Sequence, residues 1–138
     1  MKRALPLLLL VPWLSSCFKD PVDIGALNTN PLDPDYIGPP MITVLTDSTF
    51  TPAAGVFVHY LRVRVDDARF PSSTTYQLRV VDLEDGSTTN IPQNAPGGNT
   101  FEHFNSFVTL GQEYCYDLSV YIEFSSARPE RHCGIAQL

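Results

Sequence analysis

From residue 41 onward, apolar and polar side chains alternate in short runs separated by turn-forming residues, the period of strands with one buried face. The clearest run lies at 114–124. Tyr114, Tyr116, Leu118, Val120, Ile122 and Phe124 hold every second position, with Cys115, Asp117, Ser119, Tyr121 and Glu123 between them. Another run sets Phe57, His59, Leu61, Val63 and Val65 against Val58, Tyr60, Arg62 and Arg64. The second set ends in two charges, so the first should face a core, at least at its C-terminal end. A third run alternates Tyr76, Leu78 and Val80 with Gln77 and Arg79. Asp85-Gly86 then signals a turn that lets 87–91 pair back as a short polar edge strand. Strands are also expected at 42–45, before a polar turn over 46–51, and at 131–138, after a turn over 125–130. Residues 92–100 read as an exposed loop. Phe101, Phe104 and Phe107 recur at every third position and fit neither strand nor helix, leaving a bulged strand or a short helical turn, with the strand preferred. About seven strands and no helix are expected.

Upstream the pattern is different. Lys2 and Arg3 precede an almost wholly apolar run over 4–14. About eleven residues cannot cross a hydrocarbon core that needs roughly twenty, so the run reads as the apolar part of a secretory signal. Small Ser15 and Ser16 lead into Cys17. Residues 18–40 carry five prolines among Asp, Asn and Gly and show no sustained period. They read as a disordered or extended tether, reaching up to roughly 75 Å if straight. Ile24, Leu27, Leu32, Tyr36 and Ile37 are more apolar residues than a spacer needs, so packing of this segment on its own domain or on a neighbour stays open. The expected division is a signal at 1–16, a lipidated cysteine and tether at 17–40, and a β domain at 41–138.

Leu14-Ser15-Ser16-Cys17 resembles the lipobox of bacterial lipoproteins. The resemblance implies a diacylglyceryl group on the Cys17 thiol, cleavage before Cys17 and acylation of the new amine. Each buried methylene is worth about 0.8 kcal/mol, so one chain holds marginally and three hold durably. Phe18-Lys19-Asp20 is similar to the export signal of Bacteroidota surface lipoproteins, although Pro21 and Val22 interrupt its acidic run before Asp23. That likeness implies an outer-membrane protein facing the cell exterior, with the periplasmic face as the alternative.

Loss of residues 1–16 leaves 122 of the 138 residues, enough for one modest core. It also leaves seven basic residues against fifteen acidic ones, a side-chain charge of −8, which argues against nucleic acid and against anionic lipid as partners. With Cys17 lipidated, Cys115 and Cys133 form an even pair in an oxidising location. A bridge between them closes a loop of about nineteen residues and contributes roughly 3 kcal/mol; free thiols or a shared metal are the alternatives.

Residues 108–114, Val-Thr-Leu-Gly-Gln-Glu-Tyr, resemble the tyrosine corner that opens the sixth strand of fibronectin type III and related immunoglobulin-like sandwiches. The resemblance implies such a sandwich over 41–138, with Gly111 turning the chain and the Tyr114 hydroxyl tied back to the backbone. Two features depart from it: the one tryptophan, Trp13, lies in the signal, and fibronectin type III modules normally lack a disulfide.

Signatures of chemistry are missing. The sequence has no Gly-x-Ser-x-Gly elbow, no HExxH and no glycine-rich phosphate loop. His59, His103 and His132 are scattered, and His132 with Cys133 and Cys115 matches no standard zinc spacing. Asp82, Glu84 and Asp85 read as a solvated hairpin tip rather than a calcium site. No cofactor and no metal are expected, and no enzyme. Phe70, in a loop before Pro71, and Tyr121, on the outward phase of its strand, are candidate contact residues. The expectation is a surface lipoprotein serving as an interaction or accessory subunit of an outer-membrane assembly, with an outer-membrane protein as partner. The alternative is a module for a carbohydrate or other small nutrient.

Overall fold

The computed structural model describes residues 28–70, 74–94, 98–123 and 125–138; Cys17 and the segment around it lie outside them. The strands are β1 (Ile42–Ala53), β2 (Val56–Val65), β3 (Gln77–Asp82), β4 (Thr88–Pro92), β5 (Thr100–Ser106), β6 (Glu113–Ile122), β7 (Ser125–Ser126) and β8 (Glu130–Ile135). Seven are substantial, and β7 is a two-residue pairing. A three-residue 3-10 turn at Asp67–Arg69 is the one other regular element among the described residues.

All pairings are antiparallel. One sheet has the order β1-β2-β5; the other has β4-β3-β6, with β7 and β8 both paired to β6. The inward-facing residues of the two sheets form one core, so the chain is an all-β sandwich, as the alternation predicted. It changes sheet at β2–β3, β4–β5 and β5–β6. The constant-type immunoglobulin arrangement groups its fourth strand with the first, second and fifth, whereas β4 here lies beside β3.

The expected polar turn over 46–51 is instead the second half of β1. A bulge at Leu45 shifts the phase, so Thr46 and Ser48 face outward while Asp47 and Thr49 point inward opposite Leu61 and His59. The hairpin turns only at Ala54-Gly55, where Gly55 takes φ 76°. The ambiguous phenylalanines also resolve. Phe101 is buried, Phe104 lies on the outward phase of β5, and Phe107 follows the strand end with φ 66°.

Residues 28–40 pack on the domain, which extends the folded unit upstream of residue 41. Asn28, Asn30 and Asp33 each accept a backbone N–H two residues on, closing successive Asx turns. Tyr36 is buried and Leu32 packs against the core. The Arg69 guanidinium clamps the segment, donating to the Tyr36 hydroxyl and the Pro39 and Pro40 carbonyls while pairing with Asp66 at 2.8 Å. Glu130 then accepts from the N–H groups of Met41 and Ile42, tying the start of β1 to β8.

The entrance to β6 is held as the corner motif implies: Gly111 has φ 85°, and the Tyr114 hydroxyl accepts the Thr109 N–H at 2.8 Å. Cys115 and Cys133 are directly opposed on β6 and β8 and form a disulfide on the outer side of that sheet.

Candidate functional site

The sandwich interior changes character from one end to the other. Near the end where the chain enters, the inward positions are Ile42, Val44, Leu61, Val63, Val65, Leu78, Val80, Phe101, Leu118 and Val120. At the opposite end the same faces carry Asp47 and Thr49 (β1), His59 (β2), Asp82 (β3), His103 and Asn105 (β5), Tyr116 (β6) and His132 (β8). The scattered histidines of the sequence thus meet inside one half of the fold.

Hydrogen bonds link most of this group. Asp47 accepts from His59 Nε2 and His132 Nε2, each at 2.6 Å. A carboxylate only accepts, so Nε2 of His59 donates to it, while Nδ1 on the other side of the ring lies 3.0 Å from the Tyr116 hydroxyl. Asn105 Nδ2 donates to that hydroxyl oxygen and to Asp82 Oδ2. Burial works to raise the Asp47 carboxyl, but hydrogen bonds from His132 and His59 and the charge of their rings outweigh it, leaving it below its usual value. Burial pushes the Tyr116 hydroxyl up to about 12, against the opposing Asn105 hydrogen bond and with help from Asp82 and Asp47. Burial lowers His103, keeping it neutral at neutral pH; its Nε2 and the Thr49 hydroxyl are buried without a partner among the described residues. Gly134 completes the seam between β1 and β8: a Cβ there would collide with the Asp47 carboxylate.

The acidic turn after β3 is likewise internally bonded. Asp82 Oδ1 accepts the Glu84 N–H, Asp85 accepts the Ser87 N–H, and Glu84 accepts from Gln112. The Ser87 backbone bond holds Asp85 below its usual value. Among the described residues, no group of three or more His, Cys, Asp or Glu is arranged to hold a metal ion.

Of the two contact residues expected from sequence, one lies in the core and the other on the outer face of the β4-β3-β6 sheet. Phe70 is 8% exposed and packs edge-on against Tyr76 at 5.3 Å, which makes it a core residue. Tyr121 is outward but half-buried, with the Arg79 guanidinium 3.8 Å over its ring. No described contact joins either to the buried polar group.

A surface that was not singled out is more distinctive. The outer face of β1-β2-β5 carries Phe50, Tyr60 and Phe104 around Val58. Phe104 is 52% exposed and Phe50 is 41% exposed. Phe104 stacks at 33° and 5.1 Å on Tyr60 and meets Phe50 edge-on at 6.5 Å. Phe107, 81% exposed in a left-handed conformation rare for an aromatic residue, stands just past the end of β5. Toward the other end of the face, Arg62 lies between Thr46 and Glu102, and Arg64 between Thr43 and Thr100. Tyr60 on the outward phase of β2 was the available sequence signal. Phe50 was hidden by the bulge and Phe104 by the broken period.

The comparisons add no relative. No protein-family model matches the chain, no curated protein matches it, and no solved structure matches it.

Proposed function

We propose that this chain is a non-enzymatic, lipid-anchored protein displayed on the outer membrane, acting as an interaction or accessory subunit that recognises its partner through the aromatic end of the β1-β2-β5 face. The anchor reading is supported by the lipobox-like Leu14-Ser15-Ser16-Cys17 and the charged residues after it. The recognition reading is carried by one observation: Phe50, Phe104 and Phe107 remain exposed together at one end of the sandwich. Aromatic rings are enriched at the centres of protein interfaces. Position supports it too. The chain enters the sandwich beside Ile42 opposite Val65, whereas Phe50 lies opposite Val58, seven residues along β2 and about 23 Å away. A protein tethered by its N-terminus carries that patch on the side away from the anchor.

The reading is tested by isolating the tagged full chain from whole cells after cross-linking and gentle detergent extraction. A stoichiometric outer-membrane partner, lost from Phe104→Ala and retained by Arg79→Ala on the opposite sheet, is the expected result. A chain that is palmitate-free, or that runs alone with and without cross-linker, ends the proposal. A second reading, a carbohydrate-binding module, is favoured by the hydroxyl and guanidinium groups beside the rings on the same face.

A further inference from the structure

We propose that the flat part of this face takes an acidic oligosaccharide, its sugar rings lying against Tyr60 and Phe104 and its carboxylate or sulfate groups meeting Arg62 and Arg64. The ligand class rests on the reading above, that the face is a binding surface.

Charge is the first argument. The chain without its signal carries −8 on its side chains, so an anion approaches most of this protein against its field. The outer face of β1-β2-β5 is the exception. It presents two guanidiniums from neighbouring outward positions of β2 and a single carboxylate, Glu102. That carboxylate is engaged: it accepts from the Tyr60 hydroxyl at 2.9 Å and lies 3.9 Å from Arg62 Nε, too long for a hydrogen bond. Arg64 makes no ion pair among the described residues. Other arginines are closely held: Arg69 by Asp66 at 2.8 Å, and Arg131 by Asp117 at 2.9 Å. Arg79, which bonds Asn90 and lies over the Tyr121 ring, and Arg128 also make no ion pair among the described residues, but Arg62 and Arg64 are the pair that stands beside the rings of this face.

Geometry is the second argument. On one face of a strand, alternate side chains stand about 7 Å apart, so Arg62 is about 7 Å and Arg64 about 13 Å from Tyr60. A ligand that reaches both ends is extended, with an apolar flat surface at one end and an anionic group one or two steps along. Besides the Glu102 carboxylate, which Tyr60 and Arg62 engage, the hydrogen-bonding side chains along this row are the hydroxyls of Thr46, Ser48 and Thr100. Peptides are recognised by adding a strand at an edge or by seating a helix or side chain in a groove. Here the central strand β2, which carries Tyr60, Arg62 and Arg64, is paired on both sides, so main-chain groups are open only at the outer edges of β1 and β5 and not along that row. Stacked rings, surface hydroxyls and guanidiniums instead match a ring-shaped, hydroxyl-bearing, anionic ligand.

The test is calorimetric titration of the detergent-solubilised full chain with oligogalacturonate, neutral dextran oligomers and poly-glutamate. Oligogalacturonate binding is expected, at least tenfold tighter than neutral dextran and weakening as salt rises. Arg64→Gln should weaken it roughly tenfold with unchanged thermal melting, and Phe104→Ala, outside the core, should abolish it while the protein still melts cooperatively. No oligogalacturonate binding, equal binding of poly-glutamate, or indifference to both substitutions overturns the ligand class. Failure of the class is separable from failure of the face. If Phe104→Ala still removes the co-isolated partner while oligogalacturonate is ignored, the face stands and the ligand is wrong; if neither responds, both fall.

Discussion

Asp47 is the residue on which the polar end of the sandwich turns, and its replacement gives a graded result. His59 is wholly buried, and its Nε2–H has Asp47 as its acceptor at 2.6 Å; His132, about a quarter exposed, is held by the other carboxylate oxygen at the same distance. Asn at this position keeps one acceptor and turns an N–H toward the second imidazole. His132 can then turn to water, so Asp47→Asn should cost about 1 kcal/mol, the net value of one hydrogen bond. Ala removes both acceptors and strands the buried His59 donor, for which about 1–3 kcal/mol is added, giving roughly 3 kcal/mol in all. In a domain of this size each kcal/mol moves Tm by about 4–8 °C. Thermal melts followed by circular dichroism should therefore rank wild type above Asn and Asn above Ala at pH 7. The pH dependence is a sharper test. The Asp47 carboxyl is lowered in the folded state, so its stabilisation is complete above the ordinary carboxyl pKa of about 3.9 and is lost as pH falls through the lower folded value. The gap between wild type and Asp47→Ala should be fully present above about pH 4 and shrink below it. A loss under roughly 0.5 kcal/mol at pH 7, or a gap that does not change down to pH 3, would refute the reasoning.

Other expectations follow from neighbouring contacts. Gly134→Ala sets a methyl group against the Asp47 carboxylate and should lower Tm, an effect absent when it is combined with Asp47→Ala, which removes the colliding group. Reducing the Cys115–Cys133 bridge, which spans a sequence separation of 18, should cost about 3 kcal/mol in urea titrations with and without reductant. Tyr114→Phe removes the acceptor of the Thr109 N–H and should cost about 1 kcal/mol without affecting ligand binding.

The fold was legible where burial is one-sided. Period-two alternation at 56–65, 77–82 and 113–122 marks positions where one face is core and the other wet, and each is a strand with that phase. It failed at β1, where Asp47 and Thr49 face inward and a bulge resets the phase. Polar residues that are satisfied by partners from other strands look, in sequence, like a turn. The same physics hid the buried network: His59, His132, Tyr116 and Asn105 lie up to 73 positions apart in the chain, and only the sheet register brings them together. Phe70 was misread for the opposite reason, since a loop aromatic is as suited to capping a core as to meeting a partner. The docking of 28–40 was visible only as an excess of apolar residues in a proline-rich stretch; what fixes it, the Arg69 clamp, comes from a turn thirty residues on.

The measurement that bears most directly on the central claim is site-specific photo-cross-linking in whole cells, with a photoreactive aromatic residue at position 104 and, as control, at position 90 on the edge strand of the other sheet. The account predicts a discrete adduct from position 104 on intact cells, sensitive to Phe50→Ala, and no adduct from position 90. Equal labelling from the two positions, or none from 104 while the protein is displayed, would contradict it.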